Sequence, residues 1–214
     1  MSIDYAKTRE TMVEQQVRPW EVLDPRVLDT LLTVPREQFV PEAVRALAYT
    51  DMELPLGNGE SMLKPVVEGR ALQALLPQAN ESVLEIGTGS GYLSACLAKL
   101  AREVTSLEID PALADRARAA LAAQGITNAT VETVDAYAWT SSHRFDVICV
   151  TGAVAAIPAH FRDWLAPGGR MFIVHGDAPA MQAVRIHADG RVDSLFETDL
   201  HYLKGGAALP RFTL

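Results

Sequence analysis

The stretch SVLEIGTGSGYLSACLAKLA, residues 82–101, decides the fold of this chain. It begins with a short apolar run and continues through three glycines, Gly87, Gly89 and Gly91, before apolar residues recur at helical spacing. Glycine lets a backbone turn tightly and approach a ligand closely, and the first turn of a helix carries free N–H groups. The stretch therefore predicts a buried strand, a ligand-binding turn and a helix.

The alternation of strand and helix continues beyond this stretch. Further strands are predicted at EVTSLEID, ATVETVD, FDVICVTG and RMFIVHG, and further helices at 111–125 and 160–165. From Met181 onward we expect strands joined by hairpin turns, one of them at Asp189-Gly190. Strands that alternate with helices imply a parallel sheet with right-handed crossovers. The predicted fold class is therefore α/β, with a doubly wound sheet.

The first 80 residues have a different pattern, which predicts a helical layer. Asp24-Pro25 is typical of a helix start, since Asp is a favoured N-cap residue and Pro a favoured first residue. A second helix is predicted from Val40-Pro41-Glu42, an ordered loop over 51–65, and a third helix over 65–76. We expect a helical layer with its loop over 1–80 and an α/β core over 81–214, joined as one integrated domain. The apolar residues at 209–212 are expected to pack against that domain.

The charge balance argues against nucleic acid and anionic membranes as partners. Lys and Arg total 19 and Asp and Glu total 27, which gives a net charge of −8. Nucleic-acid binding needs a basic surface, and binding to anionic lipid needs basic clusters. The start of the chain also lacks the apolar segment of a signal peptide. The sequence therefore predicts a cytoplasmic location, with a monomer as the default state.

Cysteine and histidine usage predicts neither a disulfide nor a metal site. Cys96 and Cys149 both lie in apolar runs, and a chain of this size needs no covalent staple, so we expect buried free thiols. The five histidines are scattered and show no metal-ligand spacing.

Three acids at predicted strand ends favour a nucleotide-like ligand. Glu85 precedes the glycines, Glu108 ends the next strand and Asp135 ends the third. Ligands of such sheets bind at the carboxyl edge, where an acid hydrogen-bonds ribose hydroxyls. NAD is one alternative, but the G-x-G-x-G spacing lacks the third glycine of the dinucleotide fingerprint. The acidic Glu85 favours a ligand with a positive amino-acid group, such as S-adenosylmethionine. The alternative is that all three acids are ordinary surface or helix-capping residues.

The chain resembles the protein-L-isoaspartate O-methyltransferases, a family of class I S-adenosylmethionine-dependent enzymes. The similar segments are VLEIGTGSGYLSACLAKL, FDVICVTGAVAAIP, LAPGGRMFIVHG and MVEQQVRPWEVLDPRVLDTLLTVPREQFVPEAVRALAYTDMELPLGNGES, and they extend to about residue 176. The resemblance implies a Rossmann-like class I methyltransferase sheet. It also implies a donor site in which the methionine portion lies by Glu85, Gly87, Gly89 and Gly91, the ribose by Glu108, and the adenine by Asp135 and Ala136. Thr88 and Ile109 are predicted as further cofactor-binding residues.

The chain departs from that family where the resemblance implies that the acceptor binds. The family reads Gly-Gln-Thr-Ile-Ser there, followed by Gln or Ala and then Pro, whereas this chain reads GESMLKP over 59–65. Ser61 can stand for the threonine, but Leu63 takes the place of the serine and offers no hydrogen bond. We predict Ser61 and Lys64 as catalytic residues, with Lys64 pairing with the acceptor carboxylate. The alternative for Lys64 is a solvated loop lysine.

The predicted reaction is transfer of a methyl group from S-adenosylmethionine to the α-carboxyl of an L-isoaspartyl residue in a damaged protein. One alternative is an enzyme of the same family with a different acceptor, because Leu63 replaces the serine. Another is a non-catalytic module that binds S-adenosylmethionine.

Overall fold

A computed structural model describes residues 3–208 of the chain. Its strands are Leu54–Gly57 (β1), Glu60–Met62 (β2), Ser82–Ile86 (β3), Glu103–Glu108 (β4), Ala129–Thr133 (β5), Phe145–Val154 (β6), Leu165–His175 (β7), Met181–His187 (β8) and Val192–Thr198 (β9). Its α-helices are Tyr5–Met12 (α1), Pro25–Thr33 (α2), Pro65–Leu75 (α3), Tyr92–Leu100 (α4), Pro111–Ala123 (α5) and Ala159–Asp163 (α6). The predicted packing of residues 209–212 falls outside the described part of the chain.

The main sheet has the strand order β5-β4-β3-β6-β7-β8-β9. The strands from β5 to β7 are parallel, whereas β8 and β9 extend the sheet in antiparallel fashion. The chain starts this sheet at β3, winds outward through β4 and β5, and then crosses to β6 on the other side of β3. This reversal opens a crevice at the carboxyl ends of β3 and β6, where ligands of such sheets bind. The predicted doubly wound α/β fold is confirmed.

Helix starts follow the capping chemistry of the sequence. The Asp24 side chain accepts a hydrogen bond of 2.9 Å from the Arg26 amide at the start of α2. At the start of α5, Asp110 accepts hydrogen bonds from the amides of Ala112 at 2.8 Å and Leu113 at 3.2 Å. In both helices a proline occupies the first turn, where its missing N–H costs nothing.

One hydrophobic core joins the N-terminal helices to the sheet. Its buried members include Met12 and Leu31 from the first helices, Leu72 from α3 and Val83 from β3. Cys96 and Cys149 also belong to this core, and both are buried free thiols as predicted. The helical layer is therefore packed on the α/β core, and the division at residue 80 stays a prediction.

One N-terminal prediction about local structure is confirmed and another was wrong. The helix predicted from Val40-Pro41-Glu42 is present as a 3₁₀ helix over Glu42–Leu47. The predicted loop over 51–65 contains a hairpin, in which β1 and β2 pair in antiparallel fashion. Its turn is Asn58-Gly59, with φ angles of 55° and 80°. Positive φ at both central residues is the signature of the type I′ hairpin turn, which Asn-Gly favours.

A buried ion pair ties the helical layer to the loop that carries Leu63. The Arg36 and Glu68 side chains are 0% and 2% exposed, and they pair directly. The Arg36 guanidinium also donates to the carbonyl oxygens of Ala48 at 2.8 Å and Leu63 at 2.6 Å. Burial raises the pKa of Glu68, whereas the Arg36 charge opposes that rise. Arg36 therefore fixes the loop and satisfies a buried carboxylate at once.

Arg36→Ala is expected to lower the free energy of unfolding by about 3–5 kcal/mol, because it leaves the Glu68 carboxylate buried without its partner. Urea unfolding followed by circular dichroism measures this loss. Arg102→Ala, which breaks a pair with Glu103 whose side chains are 54% and 51% exposed, is the control and should change stability little. Equal losses of unfolding free energy in the two variants would show that the buried ion pair stabilises the protein no more than the exposed one.

Candidate functional site

A cleft of about 980 Å³, measured out to its open mouth, lies at the carboxyl ends of the central strands. Its wall is formed by the glycine turn, the ends of β4 and β5, the β1–β2 hairpin and the segment 201–204. Eight of the predicted site residues line it, namely Ser61, Gly87, Thr88, Gly89, Glu108, Ile109, Asp135 and Ala136. Clefts at this edge of a parallel sheet commonly hold small-molecule ligands.

Close contacts in the glycine turn leave no room for a side chain at Gly87. Gly87 has a φ of 93°, and a Cβ atom there would lie 2.3 Å from the Thr151 hydroxyl oxygen. That hydroxyl donates to the carbonyl oxygen of Gly87 at 2.6 Å. The buried Thr88 hydroxyl lies 2.6 Å from that of Ser106 on β4. The turn is therefore fixed before any ligand binds.

Two of the predicted strand-end acids, Glu108 and Asp135, line the cleft. Glu108 accepts hydrogen bonds from the amides of Gly89 at 2.8 Å and Asp110 at 2.9 Å. Asp135 accepts one from the Tyr137 amide at 2.9 Å. Beside Glu108, the Ile109 side chain is 40% exposed, although apolar side chains of its size are usually buried. The wall therefore offers carboxylates next to an uncovered apolar surface.

Glu85 does not line the cleft. It is fully buried beneath the glycine turn, where it accepts hydrogen bonds from the hydroxyls of Ser106, at 2.5 Å, and Ser94. Burial raises the pKa of Glu85 to about 7, and the two hydroxyls oppose that rise only in part. Its predicted contact with a methionine group stays a prediction, and its visible role is to join β3, β4 and α4.

Gly91 also lies outside the cleft wall. Its φ is 83°, and a Cβ atom there would lie 3.1 Å from the Cβ atom of Ala117 on α5. The third glycine thus permits close packing of α4 against α5, and the structure gives it no place in the wall.

A polar cluster lies where the hairpin meets the segment 201–204, and we call Glu53, Glu60, Ser61, His201 and Lys204 the hairpin cluster. The Ser61 hydroxyl donates to Glu53 Oε2 at 3.0 Å and lies 3.3 Å from His201 Nδ1. Lys204 Nζ lies 3.3 Å from Glu60 Oε1. Leu63 and Met62 add apolar wall beside the cluster.

The structure does not place Lys64 in the cleft wall, although Leu63 lines it. Lys64 has an extended backbone, with φ −63° and ψ 142°, and directly precedes α3. Neighbouring side chains in an extended segment point to opposite sides, so only one of two can face a cleft. The predicted catalytic role of Lys64 therefore has no support from its position.

Sequence reasoning missed several residues of the wall. They are Glu53, Glu60, Tyr137, Thr151, His201, Tyr202, Leu203 and Lys204. His201 reaches Ser61 across 140 positions of sequence, and no local pattern signals such a contact. The hairpin residues did carry a signal, because Asn58-Gly59 is typical of a tight hairpin turn.

The family model described as protein-L-isoaspartate(D-aspartate) O-methyltransferase matches residues 7–204. The chain belongs to this family. The protein-L-isoaspartate O-methyltransferase 1 of Rhodopseudomonas palustris is 43% identical over 184 residues, which cover 85% of this chain and 75% of the relative. The enzyme of Syntrophotalea carbinolica is 38% identical over 199 residues, which cover 92% of this chain and 91% of the relative.

A solved structure shares the fold of this protein-L-isoaspartate O-methyltransferase family member. It is a candidate protein-L-isoaspartate O-methyltransferase of Plasmodium falciparum, crystallised in complex with S-adenosyl-L-homocysteine. The TM-score is 0.80 at 20% identity, and the match covers 94% of this chain and 99% of the other. This likeness confirms the fold, whereas the family match and the curated relatives confirm the family resemblance and the methyltransferase class predicted from the sequence.

The described residues contain neither a membrane-spanning helix nor a metal-binding cluster. Within residues 3–208, no helix has both the length and the apolar character to cross a membrane. In the same part of the chain, no group of three or more His, Cys, Asp or Glu side chains is arranged to hold a metal ion.

Glu85→Gln is expected to flatten the pH dependence of stability between about pH 4.5 and pH 7. In that window the folded wild type keeps the Glu85 proton that the unfolded chain has lost, so its free energy of unfolding falls as pH rises. Glutamine does not titrate, and the slope should decrease in magnitude by up to about 1.4 kcal/mol per pH unit. Urea unfolding at several pH values measures it.

Glu10→Gln provides the control for this pH series, because Glu10 is exposed in a surface pair with Lys7. It should leave the slope unchanged. A Glu85→Gln variant with the wild-type slope would contradict the raised pKa.

Proposed function

We propose that the protein transfers a methyl group from S-adenosylmethionine to the α-carboxylate of L-isoaspartyl residues in proteins or peptides. The observation that carries the proposal is a family match over residues 7–204 in a chain whose glycine turn and strand-end acids share one cleft. The methyl carbon is joined to a carboxylate oxygen, and S-adenosylhomocysteine is the second product.

The residues that line the cleft support S-adenosylmethionine as its ligand. Gly87 and Gly89 leave backbone in the wall where a side chain would stand. The proposal assigns Glu108 to the ribose hydroxyls and Asp135 with Ala136 to the adenine, and all three line the cleft. Ile109 offers an exposed apolar side chain against which a base can lie. When bound, S-adenosylmethionine supplies an electrophilic methyl group on a sulfonium.

The residues of this chain have to orient the acceptor and exclude water. A carboxylate is already ionised near pH 7, so the reaction needs no general base. Ser61 lines the cleft with a hydroxyl that is held by Glu53, and Met62 and Leu63 supply apolar wall. Orientation in a cleft shielded from water accounts for rate enhancement in such a displacement.

Leu63 favours a second candidate, a methyltransferase of the same kind with another acceptor. Its side chain lines the cleft and has no hydrogen-bonding atom for a carboxylate. A cytoplasmic location and a monomeric state stay predictions, and the buried free thiols of Cys96 and Cys149 agree with a reducing compartment.

Glu108→Ala is expected to weaken binding of S-adenosylhomocysteine about 10- to 100-fold, which corresponds to the loss of a hydrogen bond to a charged group. The substitution also removes the acceptor that holds the Gly89 amide. Titration calorimetry measures the dissociation constant. Glu103→Ala, at the exposed start of the same strand, should bind like the wild type. Unchanged affinity in Glu108→Ala would remove Glu108 from the donor site.

Paired peptides test the acceptor, one with an isoaspartyl residue and one with a normal aspartyl residue. We expect S-adenosylhomocysteine to form only with the isoaspartyl peptide, because only that peptide has the α-carboxylate free beside the rearranged link. Turnover is followed by quantifying S-adenosylhomocysteine. A sample that binds the donor and turns over neither peptide would refute the proposed acceptor and support the second candidate.

A further inference from the structure

The hairpin cluster contains an ordered chain of three polar side chains. Ser61 donates its hydroxyl proton to Glu53 Oε2 at 3.0 Å. A hydroxyl has one proton, and an ionised carboxylate accepts only. The 3.3 Å contact between Ser61 Oγ and His201 Nδ1 must therefore have His201 as its donor. The direction of donation runs from His201 through Ser61 to Glu53.

The other ring nitrogen of His201 is free for a ligand. Among the described residues, the side chain of His201 makes no hydrogen bond except the one to Ser61. The residue lines the cleft. In the imidazolium form both ring nitrogens donate, so Nε2 can donate to an acceptor while Nδ1 remains on Ser61.

The backbone fixes His201 at the end of β6. The Ala153 amide donates to the carbonyl oxygen of His201 at 2.9 Å, and the Leu203 amide donates to that of Ala153, also at 2.9 Å. Tyr202 forms a bridge to Ala153. The segment is therefore anchored independently of the side chain of His201, which is positioned over the hairpin.

The charged side chains of the hairpin cluster leave Glu53 to Ser61. Within residues 3–208, no cationic side chain lies within ion-pair distance of Glu53, whereas Glu60 has Lys204 as a partner. A hydrogen bond from an imidazolium to a carboxylate is charge-assisted and is stronger than one between neutral groups.

We infer that His201 is a specificity-determining residue that binds the acceptor carboxylate through Nε2, with Ser61 and Glu53 as its positioning residues. This inference rests on the proposed function and assigns the group that recognises its substrate. It also resolves the difficulty of Leu63, which lines the cleft without a polar atom. His201 supplies the hydrogen bond that the side chain at position 63 cannot give.

Steady-state kinetics with the isoaspartyl peptide test this assignment. His201→Ala should raise the KM for the peptide about 10- to 100-fold, the effect of losing a hydrogen bond to a charged group. The dissociation constant for S-adenosylhomocysteine should stay within about twofold of the wild type. His143→Ala, an exposed histidine outside the cleft wall, controls for the loss of a histidine as such and should leave the KM unchanged.

A second pair of variants separates hydrogen bonding from anchoring. Adding a hydroxyl to the wall, as in Leu63→Ser combined with His201→Ala, should recover at least about a third of the lost affinity on a logarithmic scale. Leu63→Ala combined with His201→Ala makes similar space without a hydroxyl and should recover none. If His201 only held the segment 201–204 in place, Leu63→Ser would restore no more affinity than Leu63→Ala does.

Three outcomes overturn the inference. An unchanged KM in His201→Ala shows that the residue does not bind the acceptor. A lower kcat at unchanged KM points to a role in the chemical step instead. Lack of turnover in the wild type refutes the proposed function and removes this assignment with it, and it is recognised before any variant is made.

Discussion

The site depends on the hydrogen bonds that the Glu85 side chain accepts from two serine hydroxyls. This side chain is fully buried at the end of β3, and its hydrogen bonds reach Ser106 on β4 and Ser94 on α4. Ser106 in turn contacts Thr88 in the glycine turn. Two strands, a helix and the turn thus meet on one side chain. A buried carboxyl group costs much less when it is hydrogen-bonded, and Ser94 and Ser106 supply those bonds to Glu85.

The two ends of the cleft are built differently. The glycine turn is fixed by backbone hydrogen bonds from the Gly87 and Thr88 amides to the carbonyl oxygen of Leu107, and Glu108 accepts from the Gly89 amide, so this side of the cleft is preorganised. The opposite side is joined by side chains, through Ser61 with His201 and Glu60 with Lys204. Side-chain contacts change more readily than backbone geometry. This difference agrees with a chain that has the glycine turn in a preorganised wall and differs from the family's pattern at position 63 on the opposite side.

The sequence predicted the fold well because the fold depends on local patterns, and the same patterns singled out residues that line the cleft, such as Gly87, Gly89 and Glu108. Apolar runs, alternating glycines and strand-end acids such as Glu108 are each visible within about ten residues. The direction of the Glu85 side chain could not be predicted from local sequence, because a strand-end acid can face either the ligand or the interior. Only the serines of neighbouring elements, Ser94 and Ser106, determine which. Lys64 and Leu63 differ by one position, and the backbone direction before α3 determines which one lines the cleft. His201 reaches the cleft only through the tertiary fold.

The contact between Ser61 and His201 joins a segment that is synthesised early to one that is synthesised late. The glycine turn and β3 to β6 are complete once residue 154 has been made, whereas the wall beside Ser61 waits for residues 201–204. The two walls of the cleft therefore come from parts of the chain that a ribosome makes at different times, and a chain shortened before residue 201 lacks the wall beside Ser61.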